Sequence, residues 1–162
     1  MSYFGKLERF VIRLLNRSRL MRLRLSGATI GDGVRVFGRF TVLGDPRLLS
    51  IGRESTINEG VILNARESIT IGERVHISCH TQLHTTFLKN TPGAQIHASL
   101  PIVIENDVWL ASGVIVSAGS RIGAGTIVGA NSVVINNIQP NVFAAGVPAV
   151  TVNSLENLIT NM

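Results

Sequence analysis

An aliphatic residue recurs at every sixth position through most of this chain. Fifteen hexapeptides follow the rule in three blocks, and only short insertions separate the blocks. Similarity at a fixed period marks a repeat architecture, in which each unit buries its apolar face against its neighbours. A period of six predicts a β-helix. The first positions are Ile30, Val36, Val42, Ile51, Ile57, Leu63, Ile71, Ile77, Leu83, Ile104, Leu110, Val116, Ile122, Val128 and Val134.

The other positions of the hexapeptide support this interpretation. The second position often holds Gly, Ala, Ser or Asn, and we expect these small residues to turn the corners. The fifth is usually Val, Ser or Thr, which suit extended chain. Three hexapeptides close one triangular coil, and about five coils fit the chain. A doubly wound sheet would need amphipathic helices between its strands, and residues 30–134 contain none that is convincing.

A basic segment precedes the repeats. Seven of the 15 Lys and Arg residues lie before residue 28, whereas the net charge of the whole chain is +5. Apolar residues alternate with these cations at helical spacing, so residues 3–25 predict a basic amphipathic helix. Two roles are open: the helix caps the exposed end of the prism, or it makes peripheral contact with an anionic membrane. A nucleic-acid partner is disfavoured because the aromatic residues resemble packing residues.

The predicted organisation is one all-β domain with short additions. A basic helix spans residues 1–27, the β-helix spans 28–152 with a protruding loop at 89–101, and a tail spans 153–162. With 162 residues, 45% hydrophobic, a single domain is expected. The lone cysteine, Cys79, forms no internal disulfide and fits a reducing compartment. With no apolar run of about 20 residues and no signal peptide, we expect a cytoplasmic protein, peripheral at the inner membrane face if the helix binds lipid.

The loop at 89–101 is the first candidate for function, because long loops in compact domains often carry it. All four histidines lie near it. His84 replaces the usual small residue at a second position, so its imidazole is expected to point outward beside the loop. Imidazole suits the removal of a hydroxyl proton near neutral pH. His84 is the candidate base and His97 the runner-up, while His76 and His80 are expected to be structural.

The repeats, the segment 101–109 (PIVIENDVW) and the ending 144–149 (AAGVPA) resemble the left-handed β-helix acyltransferases. The resemblance covers residues 28–152 and is nearest to the sugar O-acetyltransferases, which include galactoside, maltose, nodulation-factor and polysaccharide-biosynthesis enzymes. It implies a left-handed β-helix, a homotrimer, acetyl-CoA as the donor, and active sites between neighbouring prisms. It also implies an acceptor that is a free, nucleotide-linked or lipid-linked sugar.

The resemblance further implies roles for particular residues. Asn58 matches an asparagine that contacts the acceptor sugar, with a corner residue as the alternative. The pantetheine channel corresponds to Ala111, Ser112, Gly129 and Ala130.

Two departures from the family stand out. Where many relatives carry Thr-Lys near the coenzyme nucleotide, this chain has Ile135 and Asn136. The family's catalytic histidine also falls slightly later than His84, at positions occupied here by residues 85–88.

The sequence thus predicts transfer of acetyl from acetyl-CoA to a sugar hydroxyl, in the assembly of a surface polysaccharide such as O-antigen, capsule or exopolysaccharide. An alternative is N-acetylation of a nucleotide-linked amino sugar. A second alternative is a non-catalytic scaffold, although no threonine ladders favour it. A zinc carbonic anhydrase is disfavoured because His76, His80 and His84 occupy one coil at positions that cannot converge on a tetrahedral metal. No metal is expected.

Overall fold

The computed structural model describes residues 3–156, with side chains from residue 14 onward. One α-helix, α1 (Tyr3–Leu25), precedes the strands, which are numbered along the chain. The side chains of Lys6, Arg9 and Arg13, and residues 157–162 of the predicted tail, lie outside the described part.

The chain then winds through three parallel sheets, A, B and C, visited in that order in each coil. Sheet A contains β1 (Thr29–Ile30), β4 (Leu49–Ile51), β7 (Ile69–Ile71), β12 (Ile102–Ile104) and β15 (Arg121–Ile122). Sheet B contains β2 (Arg35–Phe37), β5 (Thr56–Asn58), β8 (His76–Ile77), β13 (Trp109–Leu110), β16 (Ile127–Val128), β18 (Val142–Gly146) and the antiparallel β19 (Ala149–Ser154). Sheet C contains β3 (Thr41–Gly44), β6 (Ile62–Ala65), β9 (Gln82–His84), β14 (Ile115–Val116) and β17 (Val133–Val134). A short 3-10 helix, Pro46–Leu48, links β3 to β4.

The hydrophobic core follows the six-residue period. Thirteen of the fifteen first-position residues are buried, and the other two, Val36 and Val42, pack partly buried against them. The parallel register stacks equivalent positions directly, as in sheet A, where Ile51 pairs with Ile71 and Ile71 with Ile104. The predicted β-helix of about five coils is confirmed.

The turns between sheets use a different position from the expected one. The residue at the turn has a left-handed backbone conformation, and it is the fourth residue of the hexapeptide and not the second. Such a backbone is favourable for Gly and tolerable for Asn and Asp. The second-position glycines instead allow close approach of consecutive coils: a Cβ at Gly31 would lie 2.5 Å from the Arg53 nitrogen. The fourth-position residues with positive φ are Gly33, Glu54, Gly60, Arg74, His80, Asp107, Gly113, Gly119, Gly125 and Asn131.

Hydroxyl groups at the fifth position connect the coils. Ser55, Thr81 and Thr126 are fully buried. Each donates its hydroxyl proton to a main-chain carbonyl of the next coil: Ser55 to Gly72 at 2.9 Å, Thr81 to Ala111 at 3.2 Å, and Thr126 to Gln139 at 2.7 Å. Because these buried groups are paired, they can replace Val without leaving an unsatisfied polar atom.

Helix α1 packs against the first coil. Leu20 and Leu23 contact the core, and the Asn16 amide donates to the Val36 carbonyl at 2.9 Å. Arg24 donates to the carbonyls of Ile30 and Gly31 at 3.0 and 3.1 Å. The helix therefore covers the strands at the N-terminal end of the prism. Among the described residues, no helix is long and apolar enough to cross a membrane.

A β-hairpin stands where the six-residue phase is interrupted. Its strands, β10 (Thr86–Thr91) and β11 (Ala94–Ser99), are antiparallel, with Thr86 opposite Ser99 and Thr91 opposite Ala94. The Leu100 N–H donates to the Thr85 carbonyl at 2.9 Å, which closes the base of the hairpin. The protruding loop predicted at 89–101 is thus the greater part of a two-stranded arm, which begins at Thr86 directly after β9.

Candidate active site

His84 ends strand β9, directly before the hairpin. Its side chain is half-buried on the outer side of sheet C, since the neighbouring Leu83 points into the core. The His84 Nε2 lies 2.9 Å from the Oε1 of Gln82. Residues two apart in a strand share one face, so β9 itself holds these side chains together. The next residue, Thr85, is buried, and its hydroxyl donates to the Asn64 carbonyl at 2.7 Å, which fixes this end of the strand.

Asn64 lies beside His84 in the preceding coil, at the paired position of β6. Its Nδ2 donates weakly to the Thr86 hydroxyl at 3.4 Å, whereas its Oδ1 is buried and has no hydrogen-bond partner within residues 3–156. Buried acceptors are normally paired, so this oxygen is a group that a bound donor could satisfy. Asn64 and Gln82 were not predicted from the sequence as candidate site residues. The available signal was their position relative to His84: the same column for Asn64 and the same face for Gln82.

His97 lies within the hairpin. It is opposite Leu88 in β11, on the third rung of the ladder counted from Thr86 and Ser99, and it is exposed. The arm therefore holds His97 outside sheet C, whereas His84 is part of the prism wall. The structure places the two candidate bases on separate elements.

A column of small residues follows the edge between sheets B and C. Ala111 follows β13, and its N–H donates to the Val128 carbonyl, which places it directly beside Gly129 of the next coil. Ser112 is paired in the same way, since its carbonyl accepts from the N–H of Asn131. The four residues predicted to line a channel, Ala111, Ser112, Gly129 and Ala130, thus lie together along one edge.

The neighbouring Asn58 and Trp109 also belong to sheet B. The Asn58 Nδ2 donates to the Ile77 carbonyl at 2.8 Å, so its amide already joins two coils, as its alternative corner role requires. Trp109 is 47% exposed, and its Nε1 donates to the Ser78 hydroxyl at 3.0 Å. An exposed indole held by a hydrogen bond gives this edge a flat apolar surface.

The predicted site residues therefore fall on two different edges of the prism. Asn58 and the small-residue column lie on the edge between sheets B and C. His84, the hairpin and the exposed Asn136, which follows β17, lie on the edge between sheets C and A. One copy of the chain does not bring both groups to a single cleft.

An open groove of about 560 Å³ lies along the edge between sheets A and B, away from His84. Arg74 donates to both carboxylate oxygens of Asp107 there, at 2.6 and 2.8 Å, and this pairing lowers the pKa of Asp107 below its usual range. His76 Nδ1 lies 2.9 Å from the Thr56 hydroxyl. The groove is lined by Gly33, Arg35, Glu54, Arg74, His76 and Asp107. Arg74 and Asp107 are paired with each other, which is typical of a structural surface.

The three histidines His76, His80 and His84 lie on different parts of the prism. His76 lies on sheet B, His84 lies on sheet C, and His80 occupies a turn with a positive φ. Across the part of the chain described here, no group of three or more His, Cys, Asp or Glu side chains is placed to hold a metal ion.

Similarity to known proteins is found along most of the chain. The family described as bacterial transferase hexapeptide (six repeats) matches residues 101–136. The galactoside O-acetyltransferase of Escherichia coli K12 is 32% identical over 118 residues, which are 67% of this chain. The chain spans about half the length of the curated relatives it matches, 55% of this enzyme and 44% of a putative acetyltransferase of Schizosaccharomyces pombe.

Matches to solved structures cover a larger share of this chain than the matches to the curated relatives. A hexapeptide-repeat acetyltransferase from Vibrio cholerae is 30% identical, with a TM-score of 0.80 over 93% of this chain and 88% of that one. The same Vibrio enzyme has been solved with acetyl coenzyme A. A maltose O-acetyltransferase from Clostridium difficile is 25% identical, with a TM-score of 0.79 over 90% of this chain and 83% of that one.

Proposed function

This chain belongs to the hexapeptide-repeat acetyltransferases, and we propose that it transfers an acetyl group from acetyl-CoA to a hydroxyl group of a sugar. The observation that carries the proposal is the match over almost the whole chain to an acetyltransferase whose structure also contains acetyl-CoA. The sugar acceptor is supported by the similarity to galactoside and maltose O-acetyltransferases.

Acetyl-CoA would bind along the column of small residues at the edge between sheets B and C. Ala111, Ser112, Gly129 and Ala130 present short side chains, which leave neighbouring main-chain amides and carbonyls accessible to the amides of a pantetheine arm. The exposed ring of Trp109 adds an apolar wall beside Ala111. Position 136 is an asparagine and not a lysine, so the coenzyme phosphates would need a basic side chain elsewhere.

His84 would act as the general base. With Gln82 Oε1 as acceptor, the proton of the imidazole resides on Nε2, and the lone pair on Nδ1 is free. Nδ1 would take the proton of the sugar hydroxyl as its oxygen attacks the thioester carbonyl. Collapse of the tetrahedral intermediate breaks the carbon–sulfur bond, and the imidazolium returns the proton to the departing coenzyme sulfur. Sugar ester and free coenzyme are formed, and the histidine is unchanged.

The active form would be a homotrimer. The proposed base and the proposed coenzyme column lie on different edges of one prism, so a cleft between two copies would combine the edge between sheets C and A of one with the edge between sheets B and C of the next. The resemblance to this family implies the same arrangement. Each cleft would then take its base and its coenzyme groove from different copies.

Assembly of a surface polysaccharide is the proposed setting for this reaction. The acceptor would be a sugar carried free, on a nucleotide or on a lipid. An amino group of a nucleotide-linked sugar is the second candidate acceptor, because the same base could deprotonate the attacking amine.

The first test is calorimetry of acetyl-CoA binding to the purified protein, together with its mass in solution. Saturable binding by a trimer, near one coenzyme per chain, is the expected result. Acceptors would then be compared by the free coenzyme thiol that they release, with galactosides, maltose and amino sugars in parallel. A trimer that does not bind acetyl-CoA would overturn the proposal and favour the alternative of a non-catalytic scaffold.

A further inference from the structure

Helix α1 has two apolar faces, although its packing on the prism needs only one. The inward face carries Asn16, Leu20 and Leu23, which lie within about 60° of one another at 100° per residue. Asn16 is buried, and both leucines pack partly buried against the core. These contacts account for one side of the helix.

The opposite side carries a second apolar stripe. Leu14, Met21 and Leu25 fall within about 40° of one another on the helix surface. Their side chains are 60%, 63% and 78% exposed. An exposed apolar row on a helix that is already docked indicates a second contact surface. We call these three residues the outer stripe.

Cations border the outer stripe on both sides. Arg17 and Arg22 lie about 60° and 80° from Leu14, in opposite directions around the helix. Both are exposed, and neither forms a salt bridge within the described part of the chain. Residues 14–25 contain four arginines and no acidic residue. The remainder of the chain after residue 27 has eight basic and nine acidic residues, so the positive charge of the protein is concentrated on this helix.

We propose that the outer stripe of α1 binds the surface of a bilayer that contains anionic lipids, with Leu14, Met21 and Leu25 in the acyl boundary and Arg17 and Arg22 at the headgroups. An apolar row bordered by arginines is the arrangement of helices that lie in a membrane interface. Pairing with the same stripe of a second copy is disfavoured, because it would bring together Arg17 and Arg22 of both copies with no acidic partner on either segment.

Membrane binding by the outer stripe does not depend on acetyl transfer, so it can be tested separately. The full-length protein would be sedimented with vesicles of phosphatidylcholine and phosphatidylglycerol, and with vesicles of phosphatidylcholine alone. We expect binding to the anionic vesicles at low salt, at least tenfold weaker binding to the neutral ones, and release at roughly 1 M salt, where charges are screened beyond about 3 Å.

Two variants separate the apolar and the charged contributions. Replacing Leu14, Met21 and Leu25 by Ser should reduce binding at least tenfold. The pair Arg17→Gln and Arg22→Gln should reduce it about 25-fold, since each cation near such a surface contributes about fivefold, and should weaken the salt dependence. Acetyl-CoA binding and the far-ultraviolet circular dichroism of both variants should match those of the wild type.

Matched controls lie elsewhere on the prism. Val147, Val150 and Val152 are 72%, 60% and 60% exposed, and Val150 and Val152 lie on β19, at the opposite end of sheet B from α1. Their replacement by Ser should leave vesicle binding within about twofold of the wild type. The pair Arg39→Gln and Arg66→Gln removes the same charge from exposed positions outside the helix and should also change binding little.

Three results would overturn the inference. The first is failure of the wild type to sediment with anionic vesicles at low salt. The second is an equal loss of binding in the β19 control. The third is a change in the solution mass when the outer stripe is replaced, which would assign the stripe to a contact between copies of the chain.

Discussion

Gln82 and His84 share one face of strand β9, and the Oε1 of Gln82 lies 2.9 Å from the Nε2 of His84. The amide oxygen accepts the imidazole proton and so selects which ring nitrogen keeps a lone pair. In the proposed mechanism, this hydrogen bond orients His84 as the general base, with Nδ1 as its reactive atom.

Gln82 is expected to act through His84. The Gln82→Leu variant removes the acceptor, so kcat should fall about three- to tenfold, the scale of one hydrogen bond, with KM for acetyl-CoA nearly unchanged. Gln82→Glu should keep the hydrogen bond and shift the acidic limb of the pH–rate profile to higher pH, because a carboxylate stabilises the imidazolium. A purely structural role for Gln82 would leave that limb in place.

The two candidate bases are separable by mutation. His84→Ala should reduce kcat about 10²–10⁴-fold, the usual contribution of a general base, because no other described imidazole lies on sheet C. His97→Ala should retain near wild-type turnover, since His97 belongs to the exposed arm. The measurement is release of the coenzyme thiol with a responsive sugar. The reverse pattern would transfer the role of base to His97.

A larger side chain in the column of small residues is expected to weaken coenzyme binding. Ala111→Leu places a branched side chain beside Gly129, so acetyl-CoA should bind about tenfold more weakly by calorimetry, because filling a packed site costs roughly 1–3 kcal/mol. The control is Thr70→Leu, an exposed position on sheet A outside both edges. Equal affinities for the two variants would place the coenzyme elsewhere.

Core packing decides stability along the whole stack. Ile77 is fully buried and pairs with Ile57 on one side and Leu110 on the other. Ile77→Ala should lower the free energy of unfolding by about 2–5 kcal/mol, through lost transfer energy and the cavity left behind. Leu88→Ala, at a 54% exposed position of the hairpin, should change it by less than about 0.5 kcal/mol. Urea denaturation followed by circular dichroism compares the two.

Acid should weaken the contact between the third and fourth coils. The hydrogen bonds from Arg74 lower the pKa of Asp107 in the folded state. A lowered carboxyl pKa contributes stability that is present above the unfolded value of about 3.9 and is lost as pH falls through the folded value. The Asp107→Asn variant should therefore lose less stability than the wild type as pH falls below about 4. Urea midpoints against pH test this, with Asp32→Asn as the control, and parallel curves for Asp107→Asn and wild type would contradict it.

The residues that form the turns between sheets could be predicted only in part. The six-residue period showed that the second position usually holds a small residue. It did not show whether that residue forms the turn or is small because another coil passes close to it. Gly31 is small because the Arg53 backbone passes close to it, whereas Glu54, Arg74 and His80 make left-handed turns despite their size. The difference depends on how coils stack, which a single hexapeptide does not encode.

The sequence by itself determined the parallel β-helix, its number of coils and its core, because a first-position aliphatic every six residues has one way to be buried. It also singled out His84, because an imidazole there replaces the usual small residue of a second position, whereas the small-residue column was assigned through the family resemblance. Tertiary structure alone decided that the Asn64 Oδ1 is buried with no partner among the described residues, and that His84 and the small-residue column lie on different edges. It also decided that α1 keeps Leu14, Met21 and Leu25 exposed. Neighbours in these cases come from adjacent coils or elements, so their separation along the chain carries no sign of the contact.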